Sequence, residues 1–325
     1  MGNTTGLVLR GDLALVIEEA KNAETLLIAQ KVMPSFPVAV KSGQYPKLQI
    51  AEAELLSADV TERRPGASYG EVTDTWDYGT YDTVDRGVKR AVDDTEKKDM
   101  GRYFGVEAGV SRRLLRRMML ASEIRVAAAT MNATNYGAGT NSSTAYNLST
   151  DTNIATVDLP LDVQSAIARV SAKGETANAI VMGYTLWSHL RRCTKTINWV
   201  RGSTGAGSTV TASSFAASFK DLGIENVYVG NANYNTAKKG VTTAVLSEIW
   251  GTTYIWVGNI NPGPSSLQDP GVSGVTLVWN EEGGLYVTES YRDEDRRSDM
   301  IRVRQHTIEK CINGNAGTLI TSQYS

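Results

Sequence analysis

SRRLLRRMMLASEIRVAAATM, residues 111–131, carries the strongest helical signal in the chain. Leu115, Met119, Ser122, Val126 and Ala129 recur on one stripe at helical spacing, while Leu120 and Ile124 fall nearly opposite. A helix apolar on two sides is expected to be sandwiched between other elements rather than laid on a surface. The signal extends back to residue 93, where DDTEK supplies acidic residues suited to the positive end of the helix dipole. Gly101, Gly105 and Gly109 each weaken the helix by ~1 kcal/mol relative to Ala, so a break or bend is expected in its first third.

Upstream, GDLALVIEEAKNAETLLIAQKVM (11–33) reads as an amphipathic helix that Asp12 is placed to cap and that Pro34 and Pro37 stop. VAVKSGQYPKLQI (38–50) gives two short strand-like pieces around Ser42-Gly43. From Ala51 to Tyr69 the chain turns charged and reaches ERRPGASYG, with a turn at Pro65-Gly66. Val72, Asp74, Trp76 and Tyr78 begin a return strand on which Trp76 and Tyr78 share a face. Two extended arms with a charged tip make a long hairpin. Its apolar content is too thin for a core of its own, so it needs something else to lie on.

Downstream, no charged residue occurs from Val126 to Thr150, and the Asn-, Thr-, Ser- and Gly-rich end of that stretch reads as a loop. Helix and strand signals then alternate from Val157 to Gly283: LPLDVQSAIARVSAKG, YTLWSHLRR and SSFAASFKDLG as helices, ANAIVMG, ENVYVGN, TYIWVGN and GVTLVWN as strands. That order describes a compact α/β or α+β domain. GLYVTESY and MIRVRQHTIEK close the chain as strands, separated by the charge-dense RDEDRRSD. No repeat of fixed period is present.

Composition narrows the function classes. The 325 residues hold 33 Lys+Arg against 35 Asp+Glu, a net charge of -2, with 41% hydrophobic residues. That balance excludes a disordered tail and a polybasic DNA-coating protein. A chain of this length buries roughly 75% of its unfolded surface, enough for a core without disulfides or metals, and suggests two domains. Cys193 and Cys311 cannot build a disulfide scaffold, and so low a count suits a reducing compartment. No apolar run reaches the ~18–20 residues of a membrane span. The first twenty residues lack the order of a signal peptide, and Gly6 breaks the myristoylation pattern. A cytoplasmic site of synthesis and no membrane are expected.

The search for catalytic chemistry finds little. His189 and His306 are the only histidines, and neither HExxH nor CxxC occurs, so no metal or cofactor site is expected. Cys193 lies in RRCTK, where positive charge lowers a thiol pKa, but nothing nearby makes it a nucleophile and a structural role is expected. GSTGAGST (202–209) lacks the lysine of a phosphate-binding loop and reads as a flexible loop. Glu281-Glu282 and Asp293-Glu294-Asp295 are read as solvated charge or as partners for Arg296 and Arg297 rather than as cation sites. No catalytic residue is assigned, and an enzyme is not expected.

Arg112, Arg113, Arg116 and Arg117 stand out, because no acid falls between Val110 and Ser122. Their spacing spreads them over one side of a helix. The ordinary account is ion pairing, with the aliphatic stems packed on neighbours. The sharper one is a basic patch that meets nucleic acid phosphates, without the aromatic interleaving of base-stacking recognition.

The order of segments resembles the major capsid protein of tailed bacteriophages, the Hong Kong 97-like fold. PSFPVAVKSGQYPKL looks like the start of that family's extended loop, and WDYGTYDTVDRGVKRAVDDTEKKD like the strand returning into its spine helix. ANAIVMGYTLWSHLRR, IENVYVGNANYNTAKKG and LSEIWGTTYIWVGN resemble the middle of its axial domain, and GLYVTESYRDEDRRSDMIRVR its return to the peripheral domain. The match spans nearly the whole chain, and it rests on order and spacing rather than on a strict signature.

The resemblance implies an α+β chain: an N-terminal arm and helix (1–36), an extended hairpin loop (37–83), a peripheral domain with the spine helix (84–156), an axial domain (157–283) and a return to the peripheral domain (284–325). It implies a virion shell protein, assembled in the host cytoplasm as hexamers and pentamers around double-stranded DNA. Separate scaffolding, portal and decoration proteins would be its further partners. Glu62, Arg63 and Arg64 at the hairpin tip are the expected subunit contacts, and Arg112, Arg113, Arg116 and Arg117 the expected DNA-facing residues. Fold-like sequence starts within the first few dozen residues, so a separate scaffolding protein or none is expected; nothing marks a particular Lys–Asn pair, so no covalent crosslink is expected. An encapsulin-like nanocompartment shares the fold and is the alternative. A soluble two-domain enzyme is the other, and it would need a convergent set of titratable residues.

Overall fold

One helix runs through two cores that are built on separate sheets. In this computed structural model the described residues are 8–9, 26–47, 65–66, 68, 77–101, 105–137, 140–141, 146, 154–202, 210–237, 243–264, 266, 272–280 and 284–322. In chain order the first half holds β1 (Val8–Leu9), α1 (Ala29–Val32), β2 (Ser35–Val38), β3 (Ser42–Lys47), β4 (Asp77–Asp82), β5 (Val84–Asp93), α2 (Asp94–Met100), α3 (Val106–Thr130) and β6 (Thr140–Asn141). The middle holds α4 (Leu159–Ala172), β7 (Ala179–Gly183), α5 (Tyr184–Leu190), α6 (Thr194–Arg201), α7 (Ala212–Ala217) and β8 (Asn226–Gly230). The remainder is strand: β9 (Asn233–Asn235), β10 (Leu246–Glu248), β11 (Tyr254–Gly258), β12 (Gly274–Trp279), β13 (Val287–Asp293), β14 (Ser298–Cys311) and β15 (Gly317–Thr321).

β14 organises the first sheet. It pairs with β13 through Ser298–Arg304, with β12 through Thr307–Cys311 and with β5 through Ser298–Thr307. Thr307 is matched to both Val84 and Val278, so β5 runs along one edge of β14 while β13 and β12 succeed each other along the opposite edge. β2 joins β12 in parallel and β1 joins β13. The spine helix α3 covers this sheet: Val106, Val110, Leu114, Leu115, Met118 and Met119 pack with Val92, Ile301, Val303 and Tyr286.

The helical signal from residue 93 divides into α2 and α3, with Gly101 and Gly105 flanking the break, at the place where glycine makes helix costly. Asp93 caps α2 by accepting from the Thr95 amide at 2.7 Å. The two-sided burial expected of α3 is corrected. Ser111, Leu114, Leu115, Met118, Met119, Ser122, Val126, Ala127 and Thr130 are buried, whereas Leu120 and Ile124 are only half-buried. Apolar residues at helical spacing reveal a stripe, but a neighbour for the far side lies elsewhere in the sequence.

The second sheet has the order β6-β15-β11-β7-β8 and is covered on both faces. Strand alternation sorts its residues: Ile180, Met182, Ile255, Val257 and Ile320 enter a core with α4, Leu186, Leu190, Phe215 and Phe219. Ala179, Val181, Trp256 and Leu319 enter the other, with Trp250, Tyr136 and the C-terminal end of α3, Val126 and Ala127. A sheet buried on both faces needs near-continuous apolar strands, which ANAIVMG and TYIWVGN supply. GVTLVWN, inside the 157–283 range, forms β12 of the first sheet, and β15, near the chain's end, completes the second. α6 carries no signal recognised in the sequence. Most of the helix expected over 11–33 lies outside the described residues; of the part described, Leu26–Ile28 are not helical and only the four residues of α1 are.

β3 and β4 pair as the base of a hairpin, with Tyr45 opposite Gly79 and Tyr81 opposite Gly43. Each tyrosine ring lies over the facing glycine, where a Cβ would overlap it at Gly79 and crowd it at Gly43. Both rings are buried in a cluster with Val38, Val272, Val275, Leu277 and Ile312. The hairpin base therefore lies on the first sheet of its own chain. Trp76 is outside the described residues, and Tyr78 is exposed.

Candidate assembly and polyanion surfaces

The buried register of α3 dictates where its arginines point. With Leu114, Leu115, Met118 and Met119 turned to the sheet, Arg112, Arg113, Arg116 and Arg117 are all exposed, as one basic band along the opposite side. The corner that leads into this band is held by charge pairs. Lys97 bonds Glu107 across the α2–α3 break and reaches Asp299 at 2.9 Å, and Arg292 grips Asp94 with two bonds of 2.7 Å. The hydrogen bonds from Arg292 hold the Asp94 carboxyl below its usual range, and those to Glu107 and Asp299 raise the Lys97 ammonium.

The hairpin-tip residues Glu62, Arg63 and Arg64 lie outside the described residues, although the turn that follows them is described. Gly66 there has φ of 89°, a conformation that glycine adopts without strain, as the Pro-Gly pair predicts.

The remaining sequence candidates separate into packing and surface. Cys193 is fully buried, and burial pushes its thiol up to about 11 against the opposing influence of Arg192, so it is inert at neutral pH. His306 is buried with its ring edge-on to Trp279, centroids 4.9 Å apart. His189 is half-buried on α5, with Nδ1 2.9 Å from Arg192. Asp293 meets Arg296 at 3.7 Å, the ion-pair role expected of that acidic run. Among the described residues no group of His, Cys, Asp and Glu is arranged to hold a metal ion. Glu281-Glu282 and residues 203–209 lie outside the described residues. A groove of about 790 Å³ beside α7 and β8 is lined by Ala212, Ser213, Ala216 and Ala217, with Lys220 and Glu225 its charged groups.

Several buried charges were not legible in the sequence. Glu123 has no exposed surface, and it accepts from the Ile28 amide at 3.0 Å, the Ala29 amide at 2.8 Å and the Trp250 indole at 2.6 Å. Burial raises its pKa in spite of these three donors. Glu289 of β13 is buried between Arg302 and Arg304 of β14. In sequence, Glu123 is one acid on a helix, and its only signal is that it falls on the apolar stripe.

The sheet order and the spine helix define a class: the architecture is that of bacteriophage capsid proteins, the Hong Kong 97-like fold expected from the segment order. A phage-related protein from Bordetella bronchiseptica superposes with a TM-score of 0.70 at 20% identity, over 98% of this chain and 99% of that one. A chain of the capsid of cyanophage P-SCSP1u superposes at 0.55 with 13% identity, over 90% and 86%. A chain from Microbacterium phage Oxtober96 does so at 0.55 with 12% identity, over 93% and 92%. No protein-family model and no curated protein matches the sequence.

Proposed function

We propose that this chain is the major capsid protein of a tailed phage, closing as hexamers and pentamers into an icosahedral head around double-stranded DNA. The observation that carries the reading is the likeness in fold to a phage capsid chain over 90% of this chain, with the base of the hairpin seated on the first sheet. The sequence between β3 and β4, residues 48–76, is too thin in apolar residues for a core of its own, so it would gain stability by lying across a neighbouring subunit. The net charge of -2 supports the same reading, since many copies can crowd together without strong repulsion.

In this reading Glu62, Arg63 and Arg64 at the hairpin tip form ion pairs with a neighbour, and Arg112, Arg113, Arg116 and Arg117 face the lumen and neutralise phosphates non-specifically. Assembly takes place in the host cytoplasm. Among the described residues no helix is long and apolar enough to cross a membrane. Size-exclusion chromatography with electron microscopy of the purified protein tests the proposal. Closed shells support it, and a stable monomer under all salt and scaffold conditions overturns it. Shells that enclose protein cargo and exclude DNA would move the reading to a nanocompartment.

A further inference from the structure

We propose that Glu123 is a coupling latch, through which the seating of the hairpin base and the position of the Trp250 loop in the second sheet's unit depend on each other. The inference is independent of shell formation, since every contact in it lies within one chain.

The Glu123 carboxylate is the meeting point of two separate segments. Oε1 accepts from Ile28 and from the Trp250 indole, and Oε2 accepts from Ala29. All three neighbours are donors. The hollow beside the carboxylate, about 120 Å³, is lined by Gln30, Lys31, Met119, Ser122 and Tyr286. The two segments that Glu123 grips are thus held by one acceptor group.

From Ile28 the contacts lead without interruption to the hairpin. α1 ends at Met33, whose carbonyl accepts from Thr276 Oγ1 at 3.1 Å. The Pro34 carbonyl accepts from the Thr276 amide at 2.9 Å, and β2 then lies in parallel on β12. Trp279 donates to the Ala39 carbonyl at 3.3 Å, and Thr83, between β4 and β5, donates to Lys41 through both its amide and its hydroxyl. β3 begins at the next residue, Ser42. Residues 28–41 therefore act as a strap, and its first turn is fixed by Glu123.

From Trp250 the contacts lead into the second sheet. Its indole lies against Gly230 at the end of β8 so closely that a Cβ there would overlap the ring. The preceding Ile249 amide donates to Ala232 at 3.0 Å, and Glu248 accepts from the Thr185 amide at the start of α5 at 3.0 Å. A displacement of the Trp250 loop removes a donor from Glu123, and a displacement of the strap removes two. Either leaves the buried carboxylate less satisfied, which is the physical source of the coupling.

Amide hydrogen exchange on the full chain tests this. Trp250→Phe keeps a ring over Gly230 and deletes the donor. It is expected to speed exchange about tenfold across residues 28–47 and 77–84, the order of one charge-assisted hydrogen bond. Glu123→Gln replaces one acceptor oxygen with an NH2 group, which sets a donor against at least one of the three donors, and is expected to give the same pattern. Because coupling free energy is reciprocal, Thr276→Val at the far end of the strap should speed exchange at residues 249–251 by a similar factor. Ile180→Val in the opposite core is the control, expected to affect the second sheet and to leave the hairpin base at its original rates. Effects of Trp250→Phe confined to residues around 250 and 123, or a Thr276→Val variant with unchanged exchange at 249–251, overturn the proposal.

Discussion

Arg125 of the spine helix and Glu309 of β14 form an ion pair inside the molecule, with Nε 3.0 Å from Oε1 and 3.1 Å from Oε2. Only 4% of the Glu309 side chain and 21% of Arg125 remain exposed. A second guanidinium, Arg86 of β5, is lowered in pKa by burial and by Arg125 and raised by Glu309, while it donates to the Thr307 carbonyl at 2.7 Å. One carboxylate thus compensates two cations where the helix crosses the sheet. Removing one partner of a buried pair costs far more than replacing both. Glu309→Ala is expected to lower stability by about 3 kcal/mol. The double variant Arg125→Met, Glu309→Leu should recover most of that loss in denaturant unfolding. Equal losses in the two would show that the pair is not where the energy lies.

The Tyr45–Gly79 contact makes the hairpin base sensitive to one methyl group. Alanine normally improves a strand position held by glycine, but here the added Cβ overlaps the Tyr45 ring. Gly79→Ala is expected to cost about 1–3 kcal/mol through overpacking. Limited proteolysis should show faster cleavage in the hairpin, with the second sheet still protected. Gly79→Ala combined with Tyr45→Phe should not restore stability, because the ring rather than the hydroxyl alone occupies the space.

Replacing Arg112, Arg113, Arg116 and Arg117 with glutamine changes an exposed face, so each substitution should move monomer stability by no more than about 0.5 kcal/mol. If this band meets phosphates, each lost contact lowers the slope of log affinity against log salt by about 0.9 for duplex DNA. Filter binding over a salt series on assembled particles measures that slope. An unchanged slope would place the band in contacts between protein surfaces.

Acid and base limbs of the stability profile should separate by group. Burial raises Glu123 and Glu175 above the ordinary 4.5, so the folded chain takes up their protons before the unfolded chain does. Their contribution increases as pH falls through the raised values and levels off near 4.5. Asp94 is depressed below 3.8 by Arg292, and Asp299 by its hydrogen bonds from Lys97 and then Arg292 in spite of desolvation, so their contribution is complete above that value and lost as pH falls through the depressed ones. The unfolding midpoint should therefore rise modestly on going from neutral pH toward about 5, then fall below about 4. Glu123→Gln should flatten the first limb and leave the second.

Segment type and order were readable from local pattern. The spine helix, the break near Gly101, the Pro65-Gly66 turn and the strands ANAIVMG and TYIWVGN all follow from periodicity, from glycine's cost in a helix or from burial on both faces. These properties depend on neighbours within a few positions. Partnership was not readable in the same way. Nothing in GVTLVWN says that it pairs with β14 rather than with β11, since both strands are apolar enough to accept it. The far side of α3, read from Leu120 and Ile124 as a second packing face, is only half-covered, because an apolar side chain on a helix does not announce its neighbour.

The residue pattern alone was enough to define an N-terminal helix, a hairpin, a long helix and a mixed helix–strand unit, because hydrophobic period and turn chemistry are properties of short stretches. Only the tertiary structure could join Glu123 to Trp250 across 127 positions, set Glu309 between Arg86 and Arg125, or lay Tyr45 over Gly79. The physical reason is that a charge or a ring acquires its energy from what surrounds it once water is excluded. Those surroundings are assembled from distant segments by the packing of two sheets on one helix.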